Sequence, residues 1–95
     1  MAESYLDAVS DRDFSAGCEL FGWTYLQHLG GKSGCIYSQR VQWNMEPSAV
    51  DVVRVRSRRD RGLARLSISR PEMGPSPLTL LLKRRGSEWV IVGQR

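Results

Sequence analysis

The sequence is poor in the residues that build metal and nucleophilic centres, and it has no long apolar run. Its 95 residues include two cysteines, one histidine and two lysines. Cys18 and Cys35 are not spaced as metal ligands are, and His28 is the only histidine that could serve as a further ligand. We therefore expect no metal site and no cofactor. No stretch approaches the roughly 20 apolar residues of a membrane-spanning helix. The first ten residues carry two acids and no apolar core, so they are not a signal peptide.

Arginine is abundant where lysine is scarce. Twelve arginines and two lysines oppose ten acids, giving a net charge of +4 and a pI near 9.6. Such a charge suits nucleic acid, anionic lipid or an acidic partner, and it also serves solubility alone. With 41% apolar and 25% charged residues, the chain is expected to form one soluble globular domain over residues 1–95. As it stands, the sequence predicts a cytoplasmic protein, unless a targeting segment has been removed.

Helical periodicity marks the first half, about residues 3–45. Asp11 or Asp13 is suited to cap a second helix, Gly22 to break or bend it, and the Gly30-Gly31 pair to end it. Pro47 closes the helical half. Three helices are predicted, over residues 3–10, from 11 or 13 to 29, and from 33 to about 43.

Alternation of apolar and polar residues marks the second half, about residues 50–93. The polar run 57–62 predicts a hairpin turn, and 84–87 predicts another. The segment Pro71–Pro77 holds three prolines and a glycine, which predicts a loop. The strands are expected over 50–55, 63–70, 78–83 and 89–92. The fold class is therefore α+β, with three N-terminal helices packed on one face of a curved four-stranded antiparallel sheet.

The alternation also sorts the strand residues into two faces. The apolar set is expected to face the helices: Val53, Val55, Ala64, Leu66, Ile68, Leu78, Leu80, Leu82, Trp89 and Ile91. The basic set is expected to face outward: Arg54, Arg56, Arg65, Lys83 and Arg85.

Four segments, taken in order, carry a resemblance to a known family. They are Tyr5–Phe14, a helix opened by Cys35, the strand Ala64–Ile68 and the closing Gly86–Ile91. The chain resembles the nuclear transport factor 2-like superfamily over nearly its whole length. The resemblance implies an α+β cone in which a curved sheet wraps the first helix and leaves a pocket at its open end. Members include ketosteroid-isomerase-like and polyketide-cyclase-like enzymes and many modules without chemistry, so the fold does not settle function.

Tyr5 and His28 are the candidate catalytic residues. Tyr5 sits where ketosteroid isomerases carry their catalytic tyrosine, but the partner carboxylate is missing, since Asp51 is the only strand carboxylate and lies at a strand start. Tyrosine here is also a packing residue in non-enzymatic members. An imidazole can act as an acid–base group near neutral pH, but His28 better fits an exposed helix end.

A ligand pocket would be walled by the aromatic cluster. Trp23, Tyr25, His28, Tyr37 and Trp43 suit an apolar or aromatic small molecule. The same aromatics also serve as core. The outer basic residues provide a phosphate-binding alternative, but that face offers no aromatic ladder for base stacking.

The cysteines allow two interpretations. Many exported bacterial members of the family join cysteines at these two positions, so the resemblance implies a Cys18–Cys35 disulfide and, if a targeting segment has been removed, an extracytoplasmic location. The alternative is a pair of buried, reduced thiols. Dimerisation through the outer sheet face is frequent in the family, but like charges on that face would require counter-charges such as Glu72 or Glu88.

The sequence therefore favours a non-catalytic binding module that takes a partner protein or an apolar small ligand in or near the cone. The alternatives are a small isomerase or cyclase that uses the cone pocket, and a nucleic-acid binder that uses the basic sheet face. A homodimer remains among the expected partners, and membrane insertion is not expected.

Overall fold

The chain folds as a helical half followed by an antiparallel sheet. The computed structural model describes residues 2–43, 49–70 and 73–95. The helices are α1 (Ala2–Ser10), α2 (Phe14–Glu19), α3 (Trp23–His28) and α4 (Gly31–Gln42). The strands are β1 (Ala49–Arg58), β2 (Arg61–Arg70), β3 (Met73–Arg85) and β4 (Glu88–Gln94), in the spatial order β1-β2-β3-β4. The predicted α+β class is confirmed, with four described helices where three were expected.

Small residues and one carboxylate set the helix ends. The Asp13 carboxylate accepts a hydrogen bond from the Ala16 N–H at 3.1 Å and caps α2, as predicted. Gly22 is the N-cap of α3, so the predicted second helix is divided into two. Gly30 and Gly31 adopt left-handed φ angles of 92° and 78°, which turn the chain from α3 into α4. The predicted stop at Pro47 lies outside the described residues.

The prediction of a loop over Pro71–Pro77 was wrong for its described part. β3 begins at Met73, and Pro77 lies opposite Ser67 of β2. The Thr79 N–H points to the β4 side, where it donates to the Arg95 carbonyl at 3.0 Å. Backbone nitrogens two residues apart in a regular strand point to the same side, so that of Pro77 also faces away from β2. The described pairing with β4 reaches only to Thr79, so Pro77 removes no ladder hydrogen bond, and Pro75 lies where the β2–β3 register shifts, between the pairs Ile68–Ser76 and Arg70–Met73.

A β-bulge changes the predicted faces of β1. The register shifts between Val52 and Arg54, so Val52, opposite Leu66, takes the inner position. The prediction that Val53 faces the helices was wrong, because the bulge residue is 61% exposed. Val55 lies opposite the buried Ala64 on the inner face, as predicted, yet it is 59% exposed. Residues 53–61 are all exposed, so this end of the β1–β2 hairpin lacks cover.

One core joins the helices to the inner sheet face. Tyr5, Val9, Phe14, Cys18, Phe21, Cys35 and Trp43 pack there with Ala64, Leu66, Ile68, Leu78, Leu80, Leu82 and Ile91. The chain between α2 and α3 also borders β4, because the Gly22 N–H donates to the Ile91 carbonyl and the Ile91 N–H to the Leu20 carbonyl, at 2.7 and 2.8 Å. These bonds occupy the outer edge of β4 at Ile91. Over the described ranges, no helix has the length and apolarity needed to cross a membrane.

Candidate functional site

The deep part of the cone is filled by a hydrogen-bonded cluster of side chains. Tyr5 and Trp43 have no exposed surface, and Gln39 is 2% exposed. The Tyr5 hydroxyl donates to Gln39 Oε1 at 2.5 Å and accepts from Trp43 Nε1 at 3.2 Å and from Gln94 Nε2 at 3.4 Å. One donor and two lone pairs are all that a tyrosine hydroxyl has, so this group is fully used inside the protein.

The surroundings of Tyr5 hold its hydroxyl neutral. Burial raises the pKa of Tyr5 to about 12, while the hydrogen bonds from Trp43 and Gln94 lower it by less. Its hydrogen-bond partners are amides and an indole, and no carboxylate is among them. This arrangement fixes the end of α4 to α1 and β4.

An open pocket remains at the uncovered end of the hairpin. We call it the hairpin-end pocket; its volume is about 340 Å³. Apolar side chains from three strands supply most of its wall, and Glu3 brings a carboxylate from the first turn of α1. The lining residues are Glu3, Val52, Val55, Arg56, Ser57, Gly62, Leu82 and Trp89.

A glycine makes room for the aromatic residue of this pocket. A Cβ on Gly62 would lie 3.3 Å from Cζ3 of Trp89 and 3.0 Å from the Arg56 carbonyl oxygen. The indole therefore rests over the bare backbone of β2, on the same face as Leu82. With valine and leucine beside it, the indole offers an apolar surface rather than a set of proton donors and acceptors.

The five aromatic and histidine residues expected to wall a pocket are not brought together. Trp43 lies in the core, and Tyr25 stacks on Phe21 with ring centroids 5.2 Å apart. Burial raises the pKa of Tyr25. Trp23 and Tyr37 are 67% and 72% exposed. His28 and Tyr37 do share an open depression of about 600 Å³ on the helical side.

The predicted basic residues do share the outer sheet face. Arg54 lies directly opposite Arg65, and Lys83 lies opposite Arg61. Arg56 pairs with Leu63 and Arg85 with Glu88. In the part of the chain that the structure describes, the only ion pair is Lys32–Glu19, so none of these five basic residues is neutralised by a described ion pair.

The structure joins the two cysteines. A Cys18–Cys35 disulfide links α2 to α4 inside the core, where both residues are almost fully buried. Of the two alternatives, a disulfide or two reduced thiols, the structure contains the disulfide. Among residues 2–43, 49–70 and 73–95, no three His, Cys, Asp or Glu side chains are grouped so as to hold a metal ion.

Sequence reasoning missed most of the hairpin-end pocket. Val52 was outside the predicted inner set because strict alternation cannot anticipate a bulge, and Glu3 carried no motif. Gly62 fell in the predicted turn 57–62, whereas in the structure it lies within β2, where a glycine marks a close approach of another group.

Comparisons with known proteins match the architecture rather than the sequence. No protein-family model and no curated protein matches the chain. Among solved structures, it is similar to the crystal structure of a Campylobacter jejuni protein named as an NTF2-like transpeptidase, with a TM-score of 0.69. The similarity covers 96% of this chain and 93% of that one at 6% identity, so it concerns the fold alone. The protein therefore has an NTF2-like fold.

Proposed function

We propose that this chain is a non-catalytic binding module whose hairpin-end pocket takes an apolar small molecule or an apolar side chain of a partner protein. One contrast supports the proposal. The deep cone is closed by Tyr5, Gln39 and Trp43, whereas Val52, Val55, Leu82 and Trp89 surround a pocket that is open to solvent. Its volume of about 340 Å³ is in the lower range for small-molecule sites.

The isomerase or cyclase alternative has less support from this geometry. It requires a free hydroxyl and a carboxylate base converging on one substrate. The Tyr5 hydroxyl has all of its hydrogen-bonding capacity engaged, and His28 lies on the helical side, in a different depression. The one carboxylate of the hairpin-end pocket, Glu3, is exposed.

A neutral fluorescent probe tests the proposed pocket. 1-N-phenylnaphthylamine carries no charge, so the arginines do not attract it, and we expect a saturable rise in its fluorescence. Val55→Asp should weaken its binding at least about tenfold, because a carboxylate would replace apolar contact area. Val53→Asp is the matched control, since Val53 is equally exposed on the same strand and does not line the pocket.

NMR of labelled protein locates the probe. The Trp89 indole and Val52 amide signals should shift on addition of the probe, while those of Trp23 should not. Equal weakening by the two aspartate variants, or an unshifted Trp89 indole, would reject the hairpin-end pocket as the binding site.

A further inference from the structure

The outer sheet face carries more positive charge than the predicted five residues. Residues that lie opposite each other in neighbouring strands share a face, and the register therefore adds Arg58, Arg61 and Arg95. We call the whole set the outer basic face: Arg54, Arg56, Arg58, Arg61, Arg65, Lys83, Arg85 and Arg95.

Six of its eight cations form two rows that cross the sheet, while Arg56 lies between the rows and Arg85 lies beyond the first row. Arg58, Arg61 and Lys83 are successive cross-strand neighbours in the first row. In the second row Arg54 lies opposite Arg65, and Thr79 links that pair to Arg95 through two backbone hydrogen bonds of 3.0 and 2.8 Å. Four residues separate the rows on β2, which is roughly 13 Å at about 3.3 Å per residue. The charge therefore spreads in two dimensions rather than along one track.

Like charges directly opposite one another destabilise a sheet. Arg54–Arg65, Arg58–Arg61 and Arg61–Lys83 are three such contacts on one face. The described residues supply few acids there: Glu88 lies opposite Arg85, and Asp51 lies opposite Ser67 at the far end of β1. A surface with this arrangement is complementary to a broad anionic partner.

Apolar side chains lie between the two rows. Leu63 and Leu81 are opposite each other, and both are half-buried. With Val92 they line an open hollow of about 780 Å³ that Arg58, Arg61 and Arg95 also line, and that reaches round the hairpin end to residues of the hairpin-end pocket. A hollow lined by both apolar and cationic side chains suits amphiphiles with an anionic headgroup.

We propose that the outer basic face docks the protein on an anionic phospholipid bilayer as a peripheral protein. Three observations favour a bilayer over nucleic acid. The cations cover an area instead of following a line, and the strands place no aromatic side chain on this face for base stacking, since Trp89 is on the inner face. The Cys18–Cys35 disulfide belongs to oxidising compartments, where anionic lipid is present at the membrane surface and nucleic acid is not the usual partner.

Vesicle sedimentation tests the proposal with two charge-matched variants. Arg61→Glu/Arg65→Glu replaces the two central arginines of the outer basic face, and we expect the fold to be retained because each new glutamate lies opposite at least one cation. Lys32→Glu/Arg40→Glu makes the same charge change on α4. Each double variant lowers the net charge from +4 by four, to zero.

The wild-type protein should sediment with phosphatidylcholine vesicles that contain about 30% phosphatidylglycerol, and not with phosphatidylcholine alone. Binding should fall steeply between about 50 and 300 mM salt. Arg61→Glu/Arg65→Glu should lose at least about tenfold in partitioning, whereas Lys32→Glu/Arg40→Glu should retain most of it.

Three results would overturn the proposal. The first is no sedimentation with the anionic vesicles at low salt. The second is an equal loss in both double variants, which would reduce the effect to net charge. The third is binding to an oligonucleotide of about 20 residues that is tighter than binding to vesicles at equal phosphate concentration, which would assign the face to nucleic acid.

Discussion

Tyr5 shows how one side chain acquires its role from distant parts of the chain. Its hydrogen-bond partners Gln39, Trp43 and Gln94 are 34, 38 and 89 positions away. The helical spacing around Tyr5 predicts that it faces the core, but a tyrosine in a pocket and a tyrosine in a filled cone have the same spacing. Its partners came from α4 and β4, and neither glutamine carried a motif.

The raised pKa of Tyr5 predicts a loss of stability in alkaline solution. The unfolded tyrosine ionises near pH 10, whereas the folded one keeps its proton up to about pH 12. The resulting stability is complete below pH 10 and is lost as the pH rises to 12, by up to roughly 3 kcal/mol. Urea unfolding of the wild type at pH 8 and pH 11.5 should show this loss.

Tyr5→Phe is the matched variant for that measurement. It should cost about 1–3 kcal/mol at pH 8, because Gln39 Oε1 loses its buried donor. It should also lack most of the alkaline loss, while the contribution of Tyr25 remains in both proteins. If Tyr5→Phe and the wild type lose equal stability between the two pH values, Tyr5 is not the responsible group.

Gly17 of α2 and Gly34 of α4 each precede a cysteine, but the space around the two glycines differs. A Cβ on Gly17 would make ordinary contacts, 3.8 Å from the Ala8 Cβ and 3.9 Å from Cε1 of Tyr5. A Cβ on Gly34 would overlap the backbone carbonyl of Leu29. The turn from α3 into α4 therefore passes against Gly34, next to the disulfide at Cys35.

We expect opposite effects from alanine at these two positions. Gly17→Ala should leave stability unchanged or raise it by up to about 1 kcal/mol, because alanine is the better helix former. Gly34→Ala should lower stability by several kcal/mol, because a backbone group must move. Thermal unfolding followed by circular dichroism measures both, and equal melting temperatures for the two variants would contradict the close approach at Leu29.

At the scale of elements, local signals predicted the helices better than the strands. Asp13, Gly22 and Gly30 act through their immediate neighbours, so their effects follow from sequence. The start of β3 depends on the backbone nitrogen of Pro77 facing away from β2 and on a shift of register near Pro75, and the faces of β1 depend on one extra residue at Val53. Both depend on how neighbouring strands pair. The alternation of apolar and polar residues within a single strand gives no information about that pairing.

At the scale of the whole molecule, the disulfide is the main covalent support of a small core. It closes a loop between residues 17 positions apart and joins α2 to α4. In the chain-entropy description, such a bridge stabilises the fold by roughly 3 kcal/mol. A reductant should therefore lower the melting temperature of the wild type by about 10 °C or more.

The Cys18→Ser/Cys35→Ser variant provides the control for reduction. It should melt near the reduced wild type and should not respond to reductant. A wild-type melting temperature that stays the same under full reduction, verified by mass, would show that the bridge adds nothing to stability.

The α+β class, the order of helices and strands, the charge and the outward position of most of the basic residues could all be predicted before the structure was known. These properties follow from composition, from periodicity and from residues that act locally. The tertiary structure alone decided that the cone is filled by Tyr5, Gln39 and Trp43, that a pocket remains near Trp89, and that eight cations share one face. Each of these depends on register and on contacts between residues far apart in the chain, and periodicity within one element carries no information about them.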